Sequence, residues 1–265
     1  MKRLKVYPTG YYNYKRNRKN AKAKEKTKVL SAIKKCYHGA NGAPGYRVVQ
    51  ARLAAQGIKL SALTVHKYMN KELGLKSVTR RKKRYTKVNE EPYAVFSDLL
   101  KQKFTTDARG KRWCMDFTYI HFGNGKKRYN CTIIDLYSRE VVASVSGSRI
   151  NTELAKEAVK TAIRRCGKNE DLILHSDRGS QFSSKSFVEF CRENGIIQSM
   201  SRPGCPYDNA PMERYFNTLK TELLYLHEYE TEEALYTSIM QYAYGYYNNL
   251  RPHSFNGGLP PAKVA

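Results

Sequence analysis

The sequence predicts an α/β protein, a mixed sheet flanked by helices, preceded by a small all-α unit. Two observations carry this. Residues 1–112 hold 30 Lys and Arg against 6 Asp and Glu, a net of +24, and show only helical periodicity. Residues 113–265 hold 18 against 17 and turn to alternating, aromatic and β-branched stretches. From Trp113 the segments run strand, strand, strand, helix, strand, helix, strand, helix, the order of a mixed sheet layered between helices.

A formal charge of +25 over 265 residues opposes compact folding by self-repulsion unless a polyanion neutralises it. Nucleic acid fits, and the lopsided distribution describes a gripping half joined to a nearly neutral one. Cys36, Cys114, Cys131, Cys166, Cys191 and Cys205 form no C-x-x-C pair and read as reduced thiols of a cytoplasmic protein. Cys36, His38 and His66 miss zinc-finger spacing. No apolar run approaches the ~18 residues of a membrane span, and the basic N-terminus lacks the apolar core of a signal peptide.

Residues 1–24 are basic and Tyr-rich and read as an arm, mobile or laid on DNA, that can carry short helical pieces. Helical periodicity follows over residues 25–37, 44–56 and 62–73, within a helix-turn-helix-like domain spanning 25–75. Ser61 is placed as an N-cap and Gly74 as a C-terminal stop. In the third helix Val65, Tyr68 and Met69 share a packing stripe, leaving His66, Lys67, Asn70 and Lys71 to reach DNA; a helical unit that touches nothing is the alternative. Residues 76–105 form a basic linker in which Arg80, Arg81, Lys82, Lys83 and Arg84 suit phosphates, five adjacent cations being more than spacing needs.

The stretches WCMDFTYIHF, YNCTIIDLYS and EVVASVSG read as three antiparallel strands, the first two joined by an Asn-Gly turn in GNGKKR. A helix over 152–166, a strand LILHS, a helix over 184–193 and a strand GIIQSM follow. Two helices, 210–226 and 231–248, close a core domain of 106–250. The tail, 251–265, is too rich in Pro and Gly to be regular.

Three acids fall where solubility does not need them. Asp116 interrupts the first strand on the face of Cys114, Thr118 and Ile120; Asp177 ends the fourth strand; Glu213 sits in the first turn of the long helix, two positions after Pro211. If the first and fourth strands are neighbours, the aspartates face one end of the fold and the glutamate arches over them. Carboxylates within ~4 to 6 Å repel and raise one another's pKa, so the cluster calls for a cation. Hard oxygen ligands favour Mg²⁺ or Mn²⁺, and two such ions could activate a water or a 3′-hydroxyl for in-line attack on a phosphodiester. Lys220, seven positions after Glu213, returns to the same helix face and could hold a phosphate; an unremarkable exposed lysine is the alternative. Taken singly each acid is weak evidence, since a strand-end Asp is often only a cap.

Together these residues resemble a known family. Thirty-five residues separate Asp177 from Glu213, the D-D-35-E arrangement of retroviral-type integrases and many bacterial transposases. WCMDFTYI, IIDLYSRE, LHSDRGSQF, GCPYDNAPMERYFNTLKTEL and YYNNLRPHSFNGGLPPAK are similar to the OrfB-type transposase of IS-three-group insertion sequences, and the likeness extends upstream to VYPTGYY. The resemblance implies an RNase H-like core and a metal-binding catalytic triad of Asp116, Asp177 and Glu213, with Lys220 matching the family's basic residue. It implies cleavage and strand transfer at insertion-sequence ends in the bacterial cytoplasm, on terminal inverted repeats and target DNA, by at least a dimer. Asp135, Asp208 and Asn209 fall in matching blocks as structural or DNA-proximal residues; Asn209 is placed among the DNA-binding set. The family's active enzyme is usually a frameshift fusion, and this chain has no heptad run, so the upstream product OrfA is an expected partner. Zinc is not expected.

Three other readings compete. A non-catalytic DNA-binding derivative predicts loss of a triad acid, and none is lost. A tyrosine recombinase needs an Arg-His-Arg cluster around its nucleophile, and the sequence has no H-x-x-R. A nuclease acting on RNA-DNA hybrids shares the metal chemistry but leaves the basic half unexplained.

Overall fold

The computed structural model describes residues 7–77, 93–123 and 126–265, in two compact units, Met1–Val78 and Thr79–Ala265. The Arg80–Arg84 run and the Asn124-Gly125 turn lie outside the described residues.

The first unit is helical. α1 (Pro8–His38), α2 (Tyr46–Ala55) and α3 (Ala62–Lys67) enclose a core of Ile33, Val49, Leu53, Val65 and Met69. Ser61 caps α3, its Oγ accepting from Thr64 N at 3.2 Å. A π-helical turn, Tyr68–Glu72, continues α3 to Gly74, whose φ of +64° ends the helix as expected. The N-terminal stretch differs from expectation, because the helix starting before Val29 begins at Pro8 with no break at residue 24. Pro8 suits a first helical position, and the run that follows is rich in Lys and Arg, good helix formers whatever their periodicity.

In the second unit β1 (Arg112–Phe122), β2 (Lys126–Asp135), β3 (Val141–Gly147), β4 (Ile173–Ser176) and β5 (Ile197–Met200) form one sheet in the order β3-β2-β1-β4-β5. β1–β2 and β2–β3 are antiparallel, β1–β4 and β4–β5 parallel. α4 (Thr152–Cys166), the short α5 (Ser180–Ser183) and α6 (Lys185–Glu193) cover one face over Trp113, Met115, Ile133 and Leu174. α7 (Ala210–Leu219) and α8 (Glu232–Met240) cover the other over Cys114, Ile120, Ile134 and Leu136. Adjacent residues of β1 thus enter opposite cores, as the strand's period of two requires.

Both long C-terminal helices end in π-helical turns, Lys220–Leu224 and Gln241–Tyr247. The tail, short 3₁₀ turns apart, is irregular but anchored. Just ahead of it Asn248 donates to Val141 O at 3.0 Å and accepts from Val141 N at 2.9 Å, and within it Asn256 donates to Ser138 O at 2.7 Å. No helix among the described residues is long and apolar enough to cross a membrane.

Candidate active site

β1 and β4 pair through Arg112–Cys114 and Ile173–His175, and two positions beyond the last pair stand Asp116 and Asp177. The acids therefore occupy equivalent positions where two parallel strands separate, the point at which an open α/β sheet leaves a crevice. Packing on either side of β1 holds Asp116 on a rigid strand. Asp177 is turned out of β4 by its own loop: its Oδ1 accepts from Gly179 N at 2.9 Å. Asp116 Oδ1 accepts from Phe117 N at 2.7 Å.

Both aspartates line a cleft of about 730 Å³, and Glu213, Asn209 and Lys220 line the same cleft. Glu213 is exposed in the first turn of α7, while Asp116 and Asp177 are half-buried. Burial, then the charge of Asp177, then that of Glu213, hold the Asp116 carboxyl well above the ordinary carboxylate range; the Phe117 N–H and Lys220 oppose them. Burial likewise raises Asp177 against the Gly179 N–H. Lys220 opens the π-helical turn after α7, with its Nζ 4.6 Å from the centroid of the Tyr119 ring.

The cleft is rich in acceptors. Asn209 is buried, and its Nδ2 donates to Met115 O at 3.5 Å, which leaves Oδ1 without a partner among the described residues. An orphaned carbonyl oxygen and two aspartates that resist ionising form an oxygen-only donor set, which suits a hard divalent cation that keeps part of its water. Among the described residues, no three His, Cys, Asp or Glu side chains stand close enough together to hold a metal ion between them.

Sequence reasoning did not single out Arg178, Arg202, Tyr119 and Tyr225, which also line the cleft. Arg178 follows Asp177 directly, a position where a site residue could have been sought; its Nε donates to Ser201 O at 2.9 Å. Arg202 is locked to Asp208, Nε to Oδ2 at 2.9 Å and Nη2 to Oδ1 at 3.0 Å, and Gln102 Nε2 adds a 2.8 Å bond. Beneath Asp177, His175 is fully buried between the hydroxyls of Ser199 at 2.8 Å and Ser201 at 3.2 Å, and burial lowers its pKa. His66, Lys67, Asn70 and Lys71 are exposed in the first unit.

Comparison with known proteins agrees with this architecture. Residues 24–83 match an HTH-like domain, and residues 106–206 and 194–261 each match an integrase core domain. The uncharacterized 31 kDa protein of insertion element IS600 of Shigella sonnei is 32% identical over 257 residues, covering 97% of this chain and 94% of that protein. The putative transposase InsK of insertion sequence element IS150 of Escherichia coli (strain K12) is 32% identical over 253 residues, covering 96% and 87%. The fold is that of a chain in the simian T-cell lymphotropic virus intasome solved with PP2A regulatory subunit B56 gamma, with a TM-score of 0.51 at 16% identity over 81% of this chain and 69% of that one. An HTH-like unit ahead of an RNase H-like integrase core, matched along nearly its whole length by such relatives, makes this chain a member of the IS3-type insertion-sequence transposase family.

Proposed function

We propose that the chain is a DNA strand-transfer enzyme, cutting one strand at each insertion-sequence end and joining the freed 3′-hydroxyl to a new phosphodiester. The observation that carries this is the placement of Asp116, Asp177 and Glu213 around one cleft, with both aspartates raised by burial and Asp116 raised further by the charges of Asp177 and Glu213. Burying acids that repel is costly to folding and is understandable where charge must later be balanced.

Asp116, Asp177 and Glu213 would hold Mg²⁺ or Mn²⁺, two ions in this reading. Such ions supply activation of a water or 3′-hydroxyl and stabilisation of the leaving oxygen. The chain's own part is positional. The middle of β1 and the end of β4 fix two carboxylates, α7 brings the third, and Lys220 and Arg178 offer cations to the phosphate on the cleft wall. The charge-rich helical unit, with His66, Lys67, Asn70 and Lys71, and the Arg80–Arg84 run would grip duplex DNA. Two ends must be brought together, so at least a dimer forms on DNA, with OrfA as a candidate partner.

The test is strand transfer by the purified chain on oligonucleotides bearing candidate ends, with and without Mg²⁺ and with and without OrfA. Products that require the metal and vanish in Asp177→Asn support the reading. Metal-independent products, or an active Asp177→Asn protein, sink it, and DNA binding without any product points to a non-catalytic derivative.

A further inference from the structure

α1 is far longer than its packing needs. The core of the helical unit touches it only from Val29 onward, through Val29, Ala32, Ile33, Cys36 and Tyr37. The preceding residues, 8–28, are exposed except for a half-buried Lys26, and carry eight Lys and Arg against one acid, Glu25. That part is about 30 Å of helix at 1.5 Å per residue. A helix that is polar all round, with like charges crowded along it, is not held by the rest of its chain and gains most from an external polyanion.

The charge is ordered by one contact. Lys26 Nζ pairs with Glu72 Oε1 at 2.8 Å and lies 5.5 Å from the centroid of the Tyr68 ring, which orients α1 against the turn that ends α3. At roughly 100° per residue, Lys15, Lys19 and Lys22 fall within about 40° of Lys26 around the helix axis. All three are exposed and on the side of α1 that meets α3. Lys67 of α3 lies close enough to Glu72 to lower its pKa. The cations of α1 therefore continue those of α3 along one side of the unit. Lys24, Lys28 and Lys35 are also exposed but point about 160–180° away.

We propose that Lys15, Lys19 and Lys22 form a phosphate-binding stripe that lays α1 along duplex DNA, extending the contact surface of α3. It rests on the DNA-binding reading above, and it lies ahead of residue 24, where the HTH-like match begins. Charge decides the occupant: a second copy of the same helix would repel it, whereas a duplex offers one phosphate charge per ~1.7 Å of axis.

The test measures the salt dependence of affinity for a duplex carrying candidate ends, for the full chain and two triple variants of equal charge. One is Lys15→Gln, Lys19→Gln, Lys22→Gln; the other is Lys24→Gln, Lys28→Gln, Lys35→Gln. Gln preserves helix propensity, and circular dichroism checks that both variants fold. The stripe variant should lose about 2 to 3 from the slope of log affinity against log salt, and the opposite-face variant less than about 1. Equal losses, or an unchanged slope in the stripe variant, overturn the stripe. A parent chain that binds no duplex at any salt overturns the DNA reading itself, and the stripe with it.

Discussion

Asp177 does more than any other side chain to raise the proton affinity of Asp116, and the two occupy equivalent positions beyond the last pair of β1 and β4. The sheet thus holds two carboxylates where, without a cation, neither ionises readily. Removing one should relieve folding while ending catalysis. Asp116→Asn is expected to lower strand transfer by at least about a hundredfold. It should also raise the metal-free melting temperature at pH 7 by roughly 2–4 °C per kcal/mol relieved. The sign follows from the raised pKa: the penalty is absent below the ordinary value of 3.8 and grows as pH rises towards the folded value. Thermal melts of the two proteins from pH 4 to pH 8, with and without Mg²⁺, measure it; a variant no more stable than the parent contradicts it.

Lys220 pulls Asp116 the other way while its Nζ rests over Tyr119. Replacing it with Gln removes a cation from the cleft wall without emptying much volume. Strand transfer should fall about tenfold or more, and the salt slope of DNA affinity by about 1, the loss of one phosphate contact. Lys220→Arg should keep the slope. An unchanged slope in Lys220→Gln returns this lysine to the role of an exposed helix residue.

Much of this was legible in the sequence, for physical reasons that also explain what was not. Strand texture and turn chemistry are local, so β1 to β5 and the helix order followed from them, and with β1 beside β4 both aspartates reach one end of the sheet. The length of α1 was not legible from an apolar stripe, because that stripe starts at Val29 and the preceding helix has nothing to pack against. The π-helical turns after α3, α7 and α8 were missed because one inserted residue per turn leaves the periodicity of a short segment almost unchanged. Gln102 reaches Asp208 from 106 residues away, and no local signal encodes such a meeting.

Asp135 is buried and accepts three bonds, from Gly110 N at 2.7 Å, Trp113 Nε1 at 2.9 Å and Tyr137 N at 2.8 Å. It ties the start of β1 to the end of β2. Asp135→Ala would strand three donors, those of Gly110 and Trp113 buried and that of Tyr137 partly so, a cost of about 3–5 kcal/mol. The second unit should melt roughly 10 °C lower. Calorimetry of the full chain measures this, and a loss under about 1 kcal/mol would show that water replaces the carboxylate.

Asp208 differs from the cleft aspartates, being buried yet held ionised. Side-chain bonds from Arg202, with help from Gln102 and the Arg202 N–H, keep its carboxyl well below the ordinary value of 3.8. A depressed carboxylate contributes stability in full above the unfolded value and loses it as pH falls towards the folded one. The bond network should therefore weaken between about pH 4 and pH 2, and Asp208→Asn should flatten the stability curve in that window. The same variant should loosen residues 202–208, the wall between β5 and Glu213, because Arg202 loses its charged partner. Hydrogen exchange at the Arg202 amide, whose donor bond to Asp208 Oδ2 is 3.0 Å, reports the loosening directly. Strand transfer should fall in step with it, since Asn209 and Glu213 follow Asp208 into α7. Exchange and pH dependence that both match the parent would show that the wall is held by its backbone alone.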